Sequence, residues 1–201
     1  MPGRLFIKCD QSEIERQLGV EAASDVQGPD LPDLDISPGG DIWTLDDTGK
    51  LASMRWGMIM TGQSKGRRQP LMETVINARS ETVFEKQTFE GVRRALVPAH
   101  GWYEWTGEKR RKTQWRICSI NDEILMFAAI YSVWTGPGGV SLRQCATLTC
   151  EPNAQIAPIH HRMGVILEPE RWSAWLSSKP VELKPWPDGK LKVEKLGGDR
   201  G

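Results

Sequence analysis

The sequence carries no surplus of either charge: 26 lysines and arginines balance 26 aspartates and glutamates over 201 residues. A strongly basic chain of the kind that binds polyanions through net charge is excluded, so any anion-binding surface must arise from how the cations are distributed. Long hydrophobic runs are also missing, and no stretch is apolar for long enough to cross a bilayer as a helix. The opening Met1-Pro2-Gly3-Arg4-Leu5-Phe6-Ile7 lacks the longer apolar stretch and cleavage site of a signal peptide. A cytoplasmic location and no membrane partner are therefore expected. Cysteine is scarce: Cys9, Cys118, Cys145 and Cys150 form no CxxC pair and show no zinc-ligand spacing. These four read as reduced, mostly buried thiols, with Cys9 a buried strand residue; no metal and no cofactor are expected. Tyrosine and phenylalanine are few, two and four, against nine tryptophans. Indole rings fill cores and also make stacking platforms for unpaired bases; core packing is the expectation for most of the nine.

What is present reads as one α+β domain over residues 1–201. The spacing of Ile14 and Leu18 predicts a short amphipathic helix over Asp10–Leu18, capped by Asp10 or Ser12. Residues 22–40, rich in Pro, Gly and Asp, read as a connecting loop within which Asp35-Ile36-Ser37-Pro38 approaches the core. Residues 41–46 and 51–56 flank Asp47-Thr48-Gly49 and predict a β-hairpin. Residues 61–70 read as a polar loop, 74–77 as a short strand, and 80–94 as a helix with Phe84, Phe89 and Val92 turned inward. Strand pieces follow at 95–99, 102–105, 114–119, 124–133 and 143–149. A helical turn is expected near 153–156, a helix over Glu168–Leu176 starting near Pro169, and a frayed tail at 196–201. Many short strands with flanking helices predict a curved mixed sheet or partial β-barrel.

Three segments place a reactive polar residue among apolar neighbours. In Val75-Ile76-Asn77-Ala78-Arg79-Ser80-Glu81, an Asn at a strand end followed by Arg suits a phosphate or sugar. On spacing alone, the simpler reading has Asn77 cap a turn and Arg79 pair with Glu81 in solvent. In Val97-Pro98-Ala99-His100-Gly101-Trp102-Tyr103-Glu104-Trp105, a carboxylate between aromatic residues suits acid–base chemistry if it is desolvated. Strand alternation puts Trp102 and Glu104 on one face, Tyr103 and Trp105 on the other, which leaves open whether Glu104 faces water. In Ala157-Pro158-Ile159-His160-His161-Arg162-Met163, a histidine titrating near neutrality suits proton transfer; one structural and one exposed histidine is the plainer alternative.

Taken together with Gly3-Arg4 and Arg55-Trp56-Gly57, these segments resemble, in order and spacing, the SRAP family (SOS response-associated peptidase domain; abasic-site processing proteins) over nearly the whole chain. The resemblance implies a sensor of abasic sites in single-stranded DNA; a monomer, associated with the nucleoid when bound to DNA, is expected. In that family an N-terminal cysteine, freed of the initiator Met, closes a thiazolidine with the ring-opened deoxyribose. Carried over, Asn77 would orient the N-terminal residue or the sugar, Glu104 would shuttle a proton, and His160 would assist ring opening or Schiff-base formation. Arg4, Arg79 and Arg162 would hold phosphates, and Trp105 would offer a flat face to a base or sugar.

This chain departs from the family pattern where it matters most, because Pro2 stands in place of the cysteine. No thiazolidine can form there. Met removal would instead expose a secondary amine, and its adduct with an aldehyde is an obligatorily cationic iminium that promotes β-elimination. The alternatives are a non-covalent binding paralogue and a self-processing peptidase. His100 replaces a usual acid, Gly164 a usual proline, and Met58-Ile59-Met60 a stretch that often holds paired tryptophans. Two basic clusters, Lys65, Arg67, Arg68 and Lys109, Arg110, Arg111, Lys112, lie beside family motifs and are expected to track phosphates, although solvated turns are the commoner meaning of such runs.

Overall fold

In the computed structural model, residues 2–23, 28–63, 70–108 and 111–198 are described. The chain begins with β1 (Arg4–Ile7) and α1 (Gln11–Leu18). Asp10 caps α1 by accepting from the Glu13 N–H at 2.9 Å, and Gly19 ends it at φ 65°, in the left-handed region that glycine adopts without strain. There follow β2 (Asp33–Ile36), β3 (Asp41–Leu45), β4 (Leu51–Trp56), β5 (Met58–Gln63), β6 (Pro70–Val75) and β7 (Asn77–Arg79). After a turn region come β8 (Arg93–Ala99), β9 (Gly101–Thr106), β10 (Thr113–Ser119), β11 (Leu125–Thr135) and β12 (Ser141–Cys150). The chain continues through β13 (Met163–Gly164), α2 (Pro169–Leu176) and β14 (Leu191–Gly198).

The expected α+β architecture with a partial barrel is observed. One sheet runs β14-β10-β9-β1-β2. A second runs β11-β8-β3-β4-β12-β13, and because β11 also pairs with β12, five of its strands close into a ring. β7 joins the second sheet by parallel pairing with β12, and β5 and β6 form a separate hairpin. The core lies inside the ring and between the two sheets. Trp43, Trp56, Trp102 and Trp175 are fully buried in it, and Trp115, Trp172 and Trp186 pack against it. Burying that much ring surface is the main use of the tryptophans; Trp105 and Trp134 stand outside this core.

The expected helix over 80–94 is not formed. Turns occupy its first part, followed by a single 3-10 turn at Gln87–Phe89, and Gly91 takes φ 76°. The residue that enters the core is Val83, not Phe84, which is 48% exposed. With Val83 inward, no apolar partner stands four residues on to continue a helical stripe. The loop expected over 22–40 contains β2, held to β1 through Leu5–Ile36, with residues 24–27 outside the described ones. The loop expected over 61–70 is narrower, since β5 runs to Gln63 and β6 starts at Pro70. Cys9 is a half-buried bend residue after β1, not a strand residue. β14 stays paired with β10 as far as Gly198, within the segment expected to fray. Among the described residues no helix is long and apolar enough to cross a membrane, and no cluster of metal-binding side chains occurs.

Candidate active site

Asn77 is positioned by pairing at the parallel seam between β7 and β12, where it lies opposite Thr147. The seam buries Ala78 and turns Arg79 to solvent. Just before it, the buried Trp56 donates its indole N–H to the Ile76 carbonyl at 3.0 Å, which ties the chain down. Asn77 uses both ends of its amide. Its Oδ1 accepts from the Thr147 hydroxyl, and its Nδ2 donates to the Pro2 carbonyl at 2.7 Å. The turn-capping alternative for Asn77 therefore does not hold.

Pro2 is itself buried. It precedes β1, whose antiparallel register with β9 sets Leu5 against Trp102 and Arg4 against Tyr103. Pro2 and Gly3 lie just ahead of that pairing. Gly164 of β13 makes room for this arrangement. A Cβ there would fall 2.6 Å from the Phe127 ring and 3.3 Å from Cγ of Pro2.

Glu104 is 5% exposed, because alternation in β9 turns it inward with Trp102. Burial disfavours its ionised form and raises its pKa to about 7, against a partial offset from the charge of the chain's α-amino group. A carboxyl of that kind exchanges a proton readily at neutral pH.

His160 follows a tight turn over residues 154–159. Asn153 caps that turn through Oδ1 to the Ile156 N–H at 3.0 Å, and its Nδ2 reaches the Trp186 carbonyl. His160 Nδ1 lies 2.9 Å from the Arg162 backbone nitrogen and 3.1 Å from the Arg162 carbonyl oxygen, so the Arg162 backbone fixes the ring in either tautomer. Its pKa is lowered, first by burial and then by the α-amino charge. The neighbouring His161 stacks on it with centroids 4.4 Å apart and is exposed. The α-amino charge thus acts on Glu104 and on His160 alike.

The expected phosphate ligands divide. Arg162 is buried, and its fork is taken by both Glu81 oxygens at 2.7 Å, with the Thr149 carbonyl at 2.5 Å. It is a clamp holding the turn after β7 to the end of β12, not an open anion ligand. Glu81, whose carboxyl this guanidinium holds below its ordinary pKa, pairs with Arg162 and not with Arg79. Arg4 contacts Asp35 and lies over the Trp105 ring at 5.9 Å. Arg79 and Arg111 are exposed. Lys65, Arg67, Arg68, Lys109 and Arg110 lie outside the described residues. His100 is buried beyond the far end of β8, where its Nδ1 accepts from the Lys8 N–H at 3.2 Å.

Sequence reasoning missed Thr147 as the partner of Asn77 and Glu81 as the partner of Arg162. Both pairs join segments about 70 or more residues apart, and only strand register brings them together.

Comparison with known proteins gives a consistent result. The sequence matches the family described as SOS response associated peptidase (SRAP) over residues 1–195. It is 30% identical to "Abasic site processing protein YoqW" of Bacillus subtilis, across 90% of this chain and 83% of that protein. It is 31% identical to "Abasic site processing protein YoaM" of the same organism, across 76% and 69%. Among solved structures, a protein from Bacteroides thetaiotaomicron matches with a TM-score of 0.79 at 21% identity, covering 96% of this chain and 91% of that one. At that identity the likeness speaks for the fold.

Proposed function

Because the chain belongs to the SOS response associated peptidase family, we propose that it acts on abasic sites in single-stranded DNA, with the amine of Pro2 as nucleophile once Met1 is removed. The observation that carries this reading is the hydrogen bond from Asn77 to the Pro2 carbonyl, which holds the residue that removal of Met1 would expose. The names of the relatives supply the substrate class.

The chemistry follows from a secondary amine. Its lone pair adds to C1′ of the ring-opened sugar, giving a carbinolamine; loss of water leaves an iminium with a fixed positive charge. That charge acidifies the C2′ proton. Removal of the proton gives an enamine, with a C1′=C2′ double bond and the former C=N pair on nitrogen; the nitrogen pair then re-forms the iminium, the C1′=C2′ pair moves to C2′=C3′, and the 3′ phosphate leaves with the C3′–O bonding pair. Hydrolysis of the conjugated iminium returns the amine. A thiazolidine, by contrast, would need a thiol beside the amine, which Pro2 lacks. Glu104, with a pKa of about 7, suits the C2′ proton transfer. His160, its ring oriented by the Arg162 backbone, suits proton transfer in ring opening.

The test pairs intact mass of the purified protein with borohydride trapping on an abasic single-stranded oligonucleotide. A reduced covalent adduct on protein lacking Met1, lost on an undamaged strand, is the expected result. Absence of an adduct on protein shown to lack Met1 would leave a non-covalent shield for the strand as the surviving reading.

A further inference from the structure

β9 divides two surfaces. Trp102 and Glu104 face inward and are buried, while Tyr103 and Trp105 face the outer side of the first sheet and stay partly open to solvent. Residues directly opposite each other on antiparallel strands share a face. Arg4 of β1 lies opposite Tyr103 on one side and Arg116 of β10 on the other, so one outward row reads Arg4, Tyr103, Arg116. Trp105 takes the next outward position, with its ring centre 6.3 Å from that of Tyr103. On the other side Phe6 lies 5.1 Å from Tyr103 and is buried under Arg116, whose guanidinium stands 4.8 Å over its ring. Phe6 fits there because Gly101 has no side chain; a Cβ would fall 2.7 Å from the Phe6 ring. Phe6 is therefore the floor, and Tyr103 and Trp105 are the open rings.

The charges on this face are mixed but favour an anion. Asp35 engages Arg4, and Glu194 lies between Arg116 and Lys192. The turn between β9 and β10 tips the balance, since it adds the exposed Arg111 and Lys112 against Glu108. Open aromatic faces between guanidinium groups, continuous with a basic turn, match a partner that offers flat rings and regularly spaced negative charge. Unpaired nucleotides offer both. A duplex hides its base faces, and an acidic peptide would leave the rings unused.

We propose that the outer face of this sheet, centred on Tyr103 between Arg4 and Arg116, is a stacking platform for the undamaged single strand that flanks the reactive site. It rests on the reading of the chain as a single-strand binder and adds Tyr103 and Arg116 to it. The strand would pass over β9 with its lesion turned to the Glu104 side and its intact bases on the Tyr103 side.

The test is fluorescence anisotropy of the full chain with undamaged oligothymidylate of about 12 nucleotides, with a thermal midpoint for each variant. Tyr103→Leu should weaken binding about tenfold and leave its salt dependence unchanged, while Tyr103→Phe binds as wild type. Arg116→Gln should lower the slope of log affinity against log salt by about 0.7; it also keeps the test open if Tyr103→Leu fails to fold. Wild-type affinity in both folded variants overturns the platform, and so does an equally tight duplex of the same length. No lesion is present, so borohydride trapping stands as a separate result. Trapping that survives while these variants bind normally removes the platform alone; weakened binding without trapping removes only the covalent reading.

Discussion

Pro2 and Asn77, 75 positions apart, are joined by a 2.7 Å hydrogen bond from the Asn77 amide to the Pro2 carbonyl. The same amide accepts the Thr147 hydroxyl, so its orientation is determined: oxygen toward β12, nitrogen toward the N-terminus. Asn77→Asp keeps the Thr147 contact but sets a carboxylate against a carbonyl oxygen. The expected outcome is a rate of adduct trapping reduced about tenfold or more, with little change in the thermal midpoint. Thr147→Val should show a smaller loss, because the amide stays but its orientation is released. Wild-type trapping by a folded Asn77→Asp variant would count against any role in positioning Pro2.

Glu104 makes stability depend on pH. Its folded pKa of about 7 lies above the ordinary carboxyl value, so the folded state holds this proton more tightly than the unfolded chain does. The contribution is fully present below the unfolded pKa of about 4.3 and is lost as pH rises through about 7. Urea unfolding of wild type and Glu104→Gln between those limits should diverge by up to about 3 kcal/mol in favour of the variant at the upper end. Parallel curves for the two proteins would mean that the carboxyl is not desolvated. Trapping by Glu104→Gln should also lose the alkaline rise that an ionising base gives to wild type.

The Arg162–Glu81 clamp predicts a stability effect without a binding effect. Arg162→Met removes a buried guanidinium together with its hydrogen bonds and leaves Glu81, which is partly exposed, to water. The expected cost is about 2 kcal/mol, read as a lower thermal midpoint. Its salt slope for single-stranded DNA should equal that of wild type. A slope reduced by about 0.7 would instead make Arg162 a phosphate ligand.

Gly164 is constrained from two sides. Gly164→Ala would press a methyl on the Phe127 ring at 2.6 Å and on Cγ of Pro2 at 3.3 Å. A loss of about 1–3 kcal/mol is expected, partly restored by Phe127→Leu in the same chain. If the double variant regains stability but not trapping, the remaining defect is the contact with Pro2.

The basic turn after β9 should contribute through charge alone. Replacing Lys109, Arg110, Arg111 and Lys112 by serine should flatten the salt slope by about 0.7 for each phosphate that these side chains neutralise in wild type, with no change in unfolding. An unchanged slope would mean that the run is a solvated turn.

Much of this protein was legible in the residues themselves. The Asp10 cap and the Gly19 stop delimit α1 locally, the turn residues at 47–49 make the β3–β4 hairpin, and period-two alternation in β9 separates Glu104 from Trp105. Each rests on interactions within a few positions of the chain, which is why sequence alone suffices. The motifs around Asn77, Glu104 and His160 also carry the family resemblance. Tertiary structure decided the rest. The first part of the segment at 80–94 forms turns because Val83 enters the core and Arg162 holds Glu81 from the other side of the fold. Alternation could not say whether the inward face of β9 was dry; packing buried Glu104 and raised its pKa. Arg162 reads as a free cation in sequence and becomes a clamp only because β12 lies beside β7. Asn77 meets Pro2 for a similar reason: hydrogen-bond partners 75 residues apart are chosen by sheet register, which no local pattern encodes.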